Sequence, residues 1–325
     1  MHAPYAKILL IASSHVGNNI LCTPAIRLLK KHWQTTQLDV LTMSWRAATA
    51  FAGNHDVHKI LVSAWKSRIC RHAAQYPLVI GLHRDKTLKY LTGFTDSQLI
   101  IIPADPPNKH RADHGLDFIQ SLVGGSRDES DRNYVLCPTA QDIMHIKKRL
   151  RTEPTDILVG FHLGSGRTAV HGWKFWYKRR DKDPKLWPLE NYIEVGKLLT
   201  AANPNIRLVI TGLRNEKFLG KKFVKQVPKT INLIGNTSLL ELTALMNQIN
   251  IFVTQDTSAL HVACATEVPL VSLFGPTNFE ATGPYPVRVQ HTVIRKASMQ
   301  EIAPRDVCEA ILINLSNNSS SHGRI

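Results

Sequence analysis

The chain has 325 residues, enough for two domains of about 150 residues each. Hydrophobic residues make up 43% of it and charged residues 20%, which supports a large buried core and excludes a globally disordered chain. Lys and Arg number 40 against 25 Asp and Glu, so the formal net charge is +15 and an anionic partner is expected. Composition alone leaves three such partners open: nucleic acid, a membrane surface or a phosphorylated substrate.

Cysteine usage and hydropathy favour a cytoplasmic chain. No stretch approaches the roughly 20 apolar residues of a membrane-spanning helix, and the apolar run Ile8–Ala12 is too short for a secretory signal. The five cysteines are odd in number, scattered and never in a CxxC pair: Cys22, Cys70, Cys137, Cys264 and Cys308. We therefore expect reduced thiols in a soluble intracellular protein, with neither a disulfide framework nor a zinc site.

The first half of the chain alternates short apolar runs with longer amphipathic stretches. A Ser/His/Gly turn follows the first run, and a helix is predicted from Thr23 to His32. The predicted strands are Lys7–Ala12, Leu38–Thr42, Lys59–Val62, Leu78–Leu82 and Leu99–Ile102. Strands that alternate with helices are typical of a parallel sheet that is covered on both faces.

The alternation restarts after Pro154, and Pro138 precedes a predicted helix over Ala140–Arg151. The second set of predicted strands is Ile157–Phe161, Arg207–Ile210, Ile231–Ile234, Ile249–Val253 and Leu270–Phe274. This order predicts two doubly wound α/β domains, an N-terminal one over residues 1–150 and a C-terminal one over residues 155–300. The Ser/Asn-rich tail, residues 316–325, is predicted to be disordered.

The strongest chemical signal is the segment Thr254–Ala263, which follows a predicted strand and opens a helix. Ser, Thr and Asp at a helix start satisfy free backbone N–H groups, and the same N–H groups with the helix dipole also bind phosphate. Asp256 sits at the carboxyl end of its strand, where open α/β sheets bind ligands, and His261 lies one turn beyond Thr257. An ordinary capped helix with a buried histidine has the same pattern, so this segment alone does not distinguish a phosphate-binding site from a structural helix.

Read together with Leu273–Thr277, the segment Asp256–Ala263 resembles the signature of family 9 glycosyltransferases, the lipopolysaccharide heptosyltransferases. The family pattern is Asp-Thr/Ser-Gly-x-x-His-x-Ala, followed by a strand that ends in Phe-Gly-x-Thr. Ser258 stands where the family prefers glycine; its N–H remains available to a phosphate, although its backbone is less free to approach one. The resemblance implies that four residues of this segment bind the donor: Asp256, Thr257, Ser258 and His261.

Two further segments match donor-side elements of the family in the expected order. Leu163–Gly166 resembles the first donor-side loop, which places Ser165 and Gly166 near the sugar and the phosphates. Lys185–Pro188 resembles the Lys-x-Trp-Pro element, and the resemblance implies that Lys185 contacts the donor phosphates.

The nucleoside end of the donor has its own pair of matching segments. Thr211–Glu216 resembles the turn whose glutamate binds the ribose hydroxyls, which implies that role for Glu216. Gly235–Leu239, which contains Thr237, resembles the loop that flanks the adenine. Any one of these residues could be an ordinary surface or cap residue, but the order of the elements argues against that interpretation.

The N-terminal half also resembles the family, and the resemblance as a whole therefore covers roughly residues 7–315. Val16–Arg27 resembles the turn Gly-Asp-x-Leu-x-x-Thr-Pro-Ala-Leu-Arg, and Asn54–Ile60 resembles the stretch Asn-Pro-x-Val-x-x-Ile. Asn18 stands where the family has an aspartate thought to deprotonate the acceptor hydroxyl. An amide cannot accept a proton at neutral pH and can only orient the acceptor by hydrogen bonds.

Three interpretations of Asn18 stay open. Another base takes over, with His15 and Asp85, the latter in the segment His83–Asp85, as candidates. Alternatively, transfer proceeds slowly through proximity and phosphate stabilisation alone. In the third interpretation the protein is a catalytically silent or low-activity nucleotide-sugar binder. The first is favoured because the donor-side motifs are intact.

A second departure from the family is an insertion over residues 171–182, in which aromatic residues alternate with cations. Such a segment suits an anionic lipid headgroup or a single-stranded nucleic acid. A solvated loop whose aromatics pack on the donor domain is an equal alternative. Because the insertion lies just before Lys185, it is a candidate lid or membrane contact beside the donor site.

Other classes of protein are disfavoured by the motifs that the sequence lacks. A Gly-x-Gly-x-x-Gly turn after an N-terminal strand, a Walker loop, HExxH and Gly-x-Ser-x-Gly are all absent, which argues against a nicotinamide-dependent dehydrogenase and the common hydrolases. The cations are spread along the chain without a recognisable nucleic-acid-binding module, so a nucleic-acid-binding protein is the least favoured hypothesis.

The resemblance also implies a fold and a reaction. The implied fold is α/β and GT-B, with two Rossmann-like domains that face each other across a cleft and a last helix, residues 300–315, that crosses back to the N-terminal domain. The implied reaction is an inverting, metal-independent transfer of a heptose or related sugar from an ADP-sugar to the lipopolysaccharide inner core, without a cofactor. The expected partners are an ADP-heptose-like donor, a phosphorylated glycolipid acceptor such as Kdo-lipid A, and the inner face of the cytoplasmic membrane. A monomer without a nucleic-acid partner is expected.

Overall fold

A computed structural model describes residues 5–84, 88, 91, 98–165 and 183–322, the last five of these by their backbone alone. The chain divides into two compact units. The first consists of residues 1–137 and 280–286, and the second of residues 138–279 and 287–325.

The first unit contains a five-stranded sheet in which every neighbouring pair is parallel. Its strands are β1 (Lys7–Ile11), β2 (Gln37–Thr42), β3 (Lys59–Val62), β4 (Val79–Gly81) and β5 (Leu99–Ile101). Their spatial order is β3-β2-β1-β4-β5, so the order reverses between β1 and β4. The carboxyl ends of β1 and β4 therefore border the crevice where doubly wound sheets bind ligands.

Helices cover this sheet, and the first of them begins earlier than the sequence predicts. The helices are α1 (Val16–His32), α2 (Trp45–Ala48), α3 (Lys66–Ala73) and α4 (Arg111–Val123), with short 3-10 turns at Thr49–Phe51 and Glu129–Arg132. Pro24 lies inside α1 and has no N–H to offer the carbonyl of Ile20. The hydroxyl of Thr23 donates to that carbonyl at 2.7 Å, which explains how the helix continues through the proline.

The segment 280–286 is held within the first unit by an aromatic and ionic cluster. The rings of His110 and Tyr285 stack with centroids 4.4 Å apart, and His110 Nε2 lies 3.2 Å from the carbonyl of Gly283. The Tyr285 hydroxyl donates to Asp113 at 2.8 Å and accepts from Arg132 Nε at 3.1 Å. Burial lowers the pKa of His110 to about 4, so the ring is neutral at pH 7.

The second unit contains a six-stranded sheet that is also parallel throughout. Its strands are β6 (Ile157–His162), β7 (Ile206–Thr211), β8 (Ile231–Asn232), β9 (Ile251–Gln255), β10 (Leu270–Phe274) and β11 (His291–Arg295). Their order is β11-β10-β9-β6-β7-β8, so the reversal falls between β9 and β6. The sequence does not predict β11, because this edge strand is half-exposed and has polar residues at both ends.

The helices of this part of the chain are α5 (Ala140–Leu150), α6 (Leu189–Ala202), α7 (Lys217–Gln226), α8 (Leu239–Met246), α9 (Ser258–Cys264), α10 (Phe279–Thr282) and α11 (Pro304–His322). Short 3-10 turns lie at Arg214–Glu216 and Met299–Glu301. Among the described residues, no helix combines the length and the apolar character needed to cross a bilayer. All five cysteines are free thiols.

Two domain assignments differ from the prediction. The first unit ends at Cys137 and not near residue 150, because α5 packs on α8, with His145 Nδ1 3.4 Å from a Glu241 carboxylate oxygen. Residues 300–315 are predicted to cross back to the first unit, but the structure assigns the last helix, α11, to the second unit. Val307, Cys308 and Ile311 on α11 enter the hydrophobic core of the second unit.

The predicted disorder of residues 316–325 also differs from the structure. The helix α11 continues through the Ser/Asn-rich stretch as far as His322. The Ser316 hydroxyl donates to the Ile313 carbonyl at 2.8 Å, which satisfies a carbonyl on the exposed side of the helix. Residues 323–325 lie outside the described part of the chain.

Candidate functional site

The donor-side candidates of the second unit meet at the carboxyl ends of β6 and β9. Asp256 follows β9 directly and is buried, and its Oδ2 lies 2.6 Å from Nζ of Lys185. The Lys185 side chain is 42% exposed, so its ammonium is bound to the buried carboxylate and remains open to solvent on its other side. The ion pair therefore holds the ammonium in a fixed position from which its exposed side can contact an anion.

A buried aspartate that the sequence analysis misses holds the lysine segment in place. Asp183 Oδ1 accepts a hydrogen bond from the backbone N–H of Lys185 at 3.1 Å, an Asx turn. The hydroxyl of Ser165 donates to the other carboxylate oxygen of Asp183. Ser165, predicted near the sugar, is thus tied to the lysine segment, while Gly166 lies outside the described residues. An acidic residue two positions before Lys185 is the signal that could have identified this turn.

Gln255, fully buried at the end of β9, joins three segments of the site. Its Nε2 donates to the Gly164 carbonyl at 2.7 Å. Its Oε1 accepts from the backbone N–H of Trp187 at 3.2 Å and lies 3.1 Å from the Tyr192 hydroxyl. Because a buried amide without partners is costly, these contacts fix the β6 loop and the lysine segment to the residue before Asp256.

The predicted ribose residue, Glu216, lies against the loop that follows β6. It is buried, and its Oε2 accepts a hydrogen bond from the Leu213 backbone N–H at 2.6 Å. A Cβ added to Gly164 would lie only 2.0 Å from Glu216 Oε1. The carboxylate therefore requires glycine at this point of the loop, and the structure brings together two elements that are 52 positions apart in the numbering of the chain.

A neutral histidine ends β6 and is a further residue that the sequence analysis does not identify. The Thr211 hydroxyl donates to the Phe161 carbonyl at 3.2 Å, so its oxygen accepts from His162 Nδ1, 3.1 Å away. Burial lowers the pKa of His162 to about 4. Its place at the end of a predicted strand, next to the donor loop, is a signal that could have identified it.

The remaining donor-side candidates lie on α9 and before α8. Thr257 precedes α9 without a side-chain cap, and its hydroxyl lies 3.4 Å from that of Thr254. Ser258 opens this seven-residue helix, and His261 is buried within it. Thr237 is half-buried in the loop between β8 and the cap of α8. Thr237 and Thr257 therefore lie on loops that follow strands of the second sheet, whereas Ser258 and His261 belong to α9.

The first unit holds His15 directly before α1 and Asn18 in the first turn of that helix. Ser13 Oγ accepts from the His15 backbone N–H at 3.2 Å and from Asn18 Nδ2 at 3.3 Å. The next residue, Asn19, is fully buried; its Oδ1 accepts from the Ser13 N–H at 2.8 Å, and its Nδ2 donates to the Ala47 carbonyl at 3.0 Å. His15 itself is exposed, with Nδ1 3.2 Å from the Ser14 hydroxyl.

The imidazole of His83 and the thiol of Cys22 lie beside the first turns of α1. His83 Nε2 is 2.9 Å from the Asn18 carbonyl oxygen and 2.9 Å from Sγ of Cys22. Burial raises the pKa of the Cys22 thiol well above its usual range, so the sulfur stays protonated and is a poor nucleophile. Asp85, the other predicted base, lies outside the described residues. Within the described ranges, no cluster of three or more His, Cys, Asp or Glu side chains is placed to hold a metal ion.

Comparison with known proteins connects this geometry to one family. Residues 178–310 match the family model of glycosyltransferase family 9 (heptosyltransferase). The chain is 27% identical over 308 residues, 86% of each chain, to lipooligosaccharide heptosyltransferase 2 of Haemophilus influenzae. It is 31% identical to lipopolysaccharide heptosyltransferase 2 of Salmonella typhimurium over 105 residues, 31% of this chain and 30% of that one.

Solved structures show the same fold. A family 9 glycosyl transferase from Veillonella parvula superposes with a TM-score of 0.81 at 20% identity, covering 98% of this chain and 99% of that one. The ADP-heptose lps heptosyltransferase II of E. coli superposes with a TM-score of 0.76 at 18% identity, covering 96% and 99%. These likenesses confirm the predicted α/β class with two doubly wound parallel sheets, the GT-B fold.

Proposed function

We propose that this chain, whose residues 178–310 match the model of glycosyltransferase family 9 and which is 27% identical over 308 residues to a heptosyltransferase, is a glycosyltransferase that transfers a heptose or a related sugar from an ADP-sugar to the lipopolysaccharide inner core. The acceptor is Kdo-lipid A or a heptosyl derivative of it. The observation that carries the proposal is the Lys185–Asp256 pair, a cation held at the carboxyl edge of the second sheet by a buried carboxylate. Two relatives named as heptosyltransferases support the choice of sugar.

On the donor side, Lys185 stabilises the diphosphate as it leaves. Loss of the sugar develops negative charge on the ADP, and a cation already in position stabilises that charge without reorganisation. Asp256 holds the ammonium through Oδ2 and offers Oδ1 to a sugar hydroxyl. The N–H groups of Thr257 and Ser258 and the side chain of His261 assist, but α9 has only seven residues, so most of the stabilisation comes from Lys185.

The rest of the donor binds along the loops at the same sheet edge. Ser165 and Gly166 lie near the sugar and the phosphates, Glu216 accepts hydrogen bonds from the ribose hydroxyls, and Thr237 flanks the adenine. A buried carboxylate such as Glu216 retains its charge only with hydrogen-bond donors, and ribose hydroxyls add two of them. Positive charge from Lys185 takes the place of a metal ion in this scheme, which uses no cofactor.

On the acceptor side, His15 serves as the base in place of the family's aspartate. The acceptor hydroxyl attacks the anomeric carbon, its proton passes to His15, and the bond from that carbon to the ADP oxygen breaks, with inversion. Asn18 donates to Ser13, which leaves its Oδ1 to accept a hydrogen bond from the acceptor. Asp85 is the second candidate for the base.

One alternative function has a specific observation in its favour. The amide of Asn18 cannot accept a proton, so a catalytically silent or low-activity protein that binds the nucleotide sugar without transfer is the second candidate. Incubation with ADP-heptose and Kdo-lipid A separates the two, since ADP is released only by transfer. Donor binding without ADP release would support the silent binder. Salt-sensitive retention of nucleic acid without donor binding would contradict both.

The proposed place of action follows from the acceptor. A glycolipid acceptor lies in a membrane, so we place the protein in the cytoplasm, as a monomer at the inner face of the cytoplasmic membrane. A net charge of +15 exceeds what one nucleoside diphosphate neutralises, and anionic lipids attract basic proteins. The insertion 171–182, a candidate membrane contact by sequence, lies outside the described residues.

A further inference from the structure

Two exposed tryptophans and three exposed cations share one edge of the first unit. The side chains are Trp45, Arg46, Trp65, Lys66 and Arg68, and we refer to them as the Trp–basic surface. Trp45 is 77% exposed and Trp65 is 71% exposed. By contrast, the other two tryptophans that the structure describes, Trp33 and Trp187, are buried.

Strand pairing places the two tryptophans at the same edge of the sheet. Thr42 and Val62 are partners at the ends of β2 and β3. Trp45 is the third residue beyond Thr42, and Trp65 is the third beyond Val62. Neighbouring strands lie about 4.8 Å apart, and three residues span at most about 11 Å, so both indoles extend from adjacent loops at the carboxyl edge.

The helix that follows Trp65 turns its apolar side inward and its charges outward. Ile69, Cys70 and Ala73 are buried, whereas Lys66, Arg68 and Arg71 are exposed. The helix contains no acidic residue, and the sequence has none between positions 57 and 75. The exposed charge of α3 is therefore entirely positive, and no carboxylate within the helix neutralises it.

Two further observations support an unneutralised positive charge on α3: the nearest carboxylate in the sequence is already paired, and a groove runs beside the helix. Asp56 is paired with Arg27, 3.3 Å away, and so is already engaged by another cation. An open groove of about 830 Å³ runs along α3, lined by Trp65, Lys66, Ser67, Cys70 and Arg71. An anionic headgroup has room there between an indole and two cations.

From this composition we propose that the Trp–basic surface docks the first unit onto an anionic lipid bilayer. Indole rings favour the headgroup level of a membrane, where the ring is in an apolar layer and its N–H remains hydrated. Cations beside them bind lipid phosphates. The choice of a membrane rests on the proposed function, in which the acceptor is a glycolipid, and the surface explains how a protein without a described membrane-spanning helix reaches it.

Vesicle co-sedimentation of the full-length protein tests the proposal. The probe is phosphatidylcholine vesicles in which a third of the lipid is phosphatidylglycerol, with pure phosphatidylcholine as the neutral comparison. Each cation contributes about 1 kcal/mol of attraction, which is about fivefold in affinity, so Lys66→Gln with Arg68→Gln lowers binding about 30-fold. Trp45→Ala with Trp65→Ala also lowers it, and abolishes the blue shift of tryptophan emission on vesicle binding.

A matched control removes the same charge elsewhere. Lys147 and Lys148 are exposed on α5 in the second unit, and Lys147→Gln with Lys148→Gln reduces binding far less than the pair on α3. Equal losses for both charge pairs would show attraction by net charge alone and overturn the proposal. So would absence of binding to the anionic vesicles, or retention of a single-stranded oligonucleotide by the same side chains without vesicle binding.

Transfer to a soluble acceptor separates docking from acceptor recognition. With a deacylated acceptor that forms no membrane, both double variants keep the wild-type rate of ADP release. A loss of that rate would place the surface in the acceptor site and overturn its role in docking. If wild-type protein binds the vesicles but releases no ADP with any acceptor, the proposed function fails while the docking surface stands.

Discussion

Each unit places a fully buried amide side chain at the carboxyl edge of its sheet, and the two differ in the residue next to it. In the first unit Asn19 ties the β1–α1 turn to Ala47, and its neighbour is the uncharged Asn18. In the second unit Gln255 ties the end of β9 to Gly164, and its neighbour is the ionised Asp256 with its lysine.

The comparison shows that a buried amide holds the backbone in both places and that the two places differ in the charge of the residue next to it. Buried amides are retained because their loss would leave several backbone groups without partners. The residue next to each amide does not supply hydrogen-bond partners to those backbone groups, so a substitution there leaves them paired. A carboxylate at position 18 could change to an amide without disturbing the turn, since Ser13 accepts a hydrogen bond from Asn18 Nδ2. If the family's aspartate at position 18 has been lost as a base, we expect its replacement close by, and His15 directly before α1 is the nearest candidate.

Replacement of His15 gives the largest expected effect. His15→Gln keeps a polar side chain but removes the proton acceptor, and general bases contribute about 10²–10⁴-fold. We expect kcat to fall by about that factor, with little change in the affinity for ADP. The measurement is ADP release under saturating donor.

A second substitution sharpens this result. Asn18→Asp in the His15→Gln background supplies a carboxylate in the first turn of α1, three residues beyond position 15, and should recover much of the lost turnover. If His15→Gln alone leaves kcat unchanged, His15 is not the base, and Asp85 becomes the first candidate. If Asn18→Asp raises the turnover of the otherwise wild-type protein strongly, no substitute base was present.

Removal of Lys185 gives the next largest effect, on the other side of the comparison. Lys185→Ala removes the cation that the proposed function places against the diphosphate and leaves the buried Asp256 carboxylate to repel it. We expect kcat/KM for the donor to fall about 10²–10³-fold, and ADP, measured by calorimetry, to bind more weakly. Lys185→Arg keeps the charge and should retain part of the affinity. Unchanged ADP affinity in Lys185→Ala would remove this residue from the donor site.

The repeating parts of this fold are predictable from the sequence because buried parallel strands are continuous apolar runs. The core strands such as Lys7–Ile11 and Leu270–Phe274 are recognisable within a residue or two. The edge strand β11 cannot be recognised in this way, because it pairs with a neighbouring strand on one side only and its residues are half-exposed. The end of the first unit also differs from the prediction, because α5 contacts Glu241 on α8, which is 96 positions beyond His145 in the sequence.

The candidate site is predictable as a set of loops but not as a set of contacts. The sequence places Lys185 and Asp256 near the same ligand, yet their ion pair joins residues 71 positions apart and is visible only in the fold. The roles of Gln255 and Asp183 depend on which backbone groups need partners after folding. The position of Asp183, two residues before Lys185, indicates an Asx turn, whereas nothing in the spacing around Gln255 reveals its contacts with Gly164 and Trp187.

A glycine comparison tests how tightly the second site is built. Gly164→Ala would place a Cβ 2.0 Å from Glu216 Oε1, so the loop or the carboxylate must move, at a cost of about 1–3 kcal/mol. At about 2–4 °C per kcal/mol, we expect the melting temperature to fall by several degrees and donor affinity to drop with it.

The matched variant lies in the first unit. Gly115 is inside α4, where a Cβ would lie 3.5 Å from that of Ala25, an ordinary contact. Gly115→Ala should be neutral or stabilising by up to about 1 kcal/mol, because alanine loses less backbone freedom in a helix. Equal destabilisation by both variants would mean that Gly164 is an ordinary packing position.

A last expected effect, on stability and not on turnover, is a loss in mild acid, and it arises in both units. Burial lowers the pKa of His162 in the second unit and of His110 in the first to about 4, from an ordinary value of 6.5. Between these values the unfolded chain binds protons that the folded protein does not, so stability falls as the pH drops from about 6.5 towards 4. We expect a loss of about 1–2 kcal/mol per histidine at pH 5.

Asparagine substitutions assign this loss to each unit. His162→Asn keeps a donor for Thr211 and removes the titrating ring, and His110→Asn keeps an oxygen that can cap α4. Scanning calorimetry at pH 7 and pH 5 should show a smaller acid-induced fall in the melting temperature for each variant, in the transition of its own unit. The same fall in wild type and variants would mean that other groups cause the acid sensitivity. A larger rescue by His162→Asn would show that the second unit, with its hydrogen-bond network around Gln255, tolerates an added proton less well than the first unit.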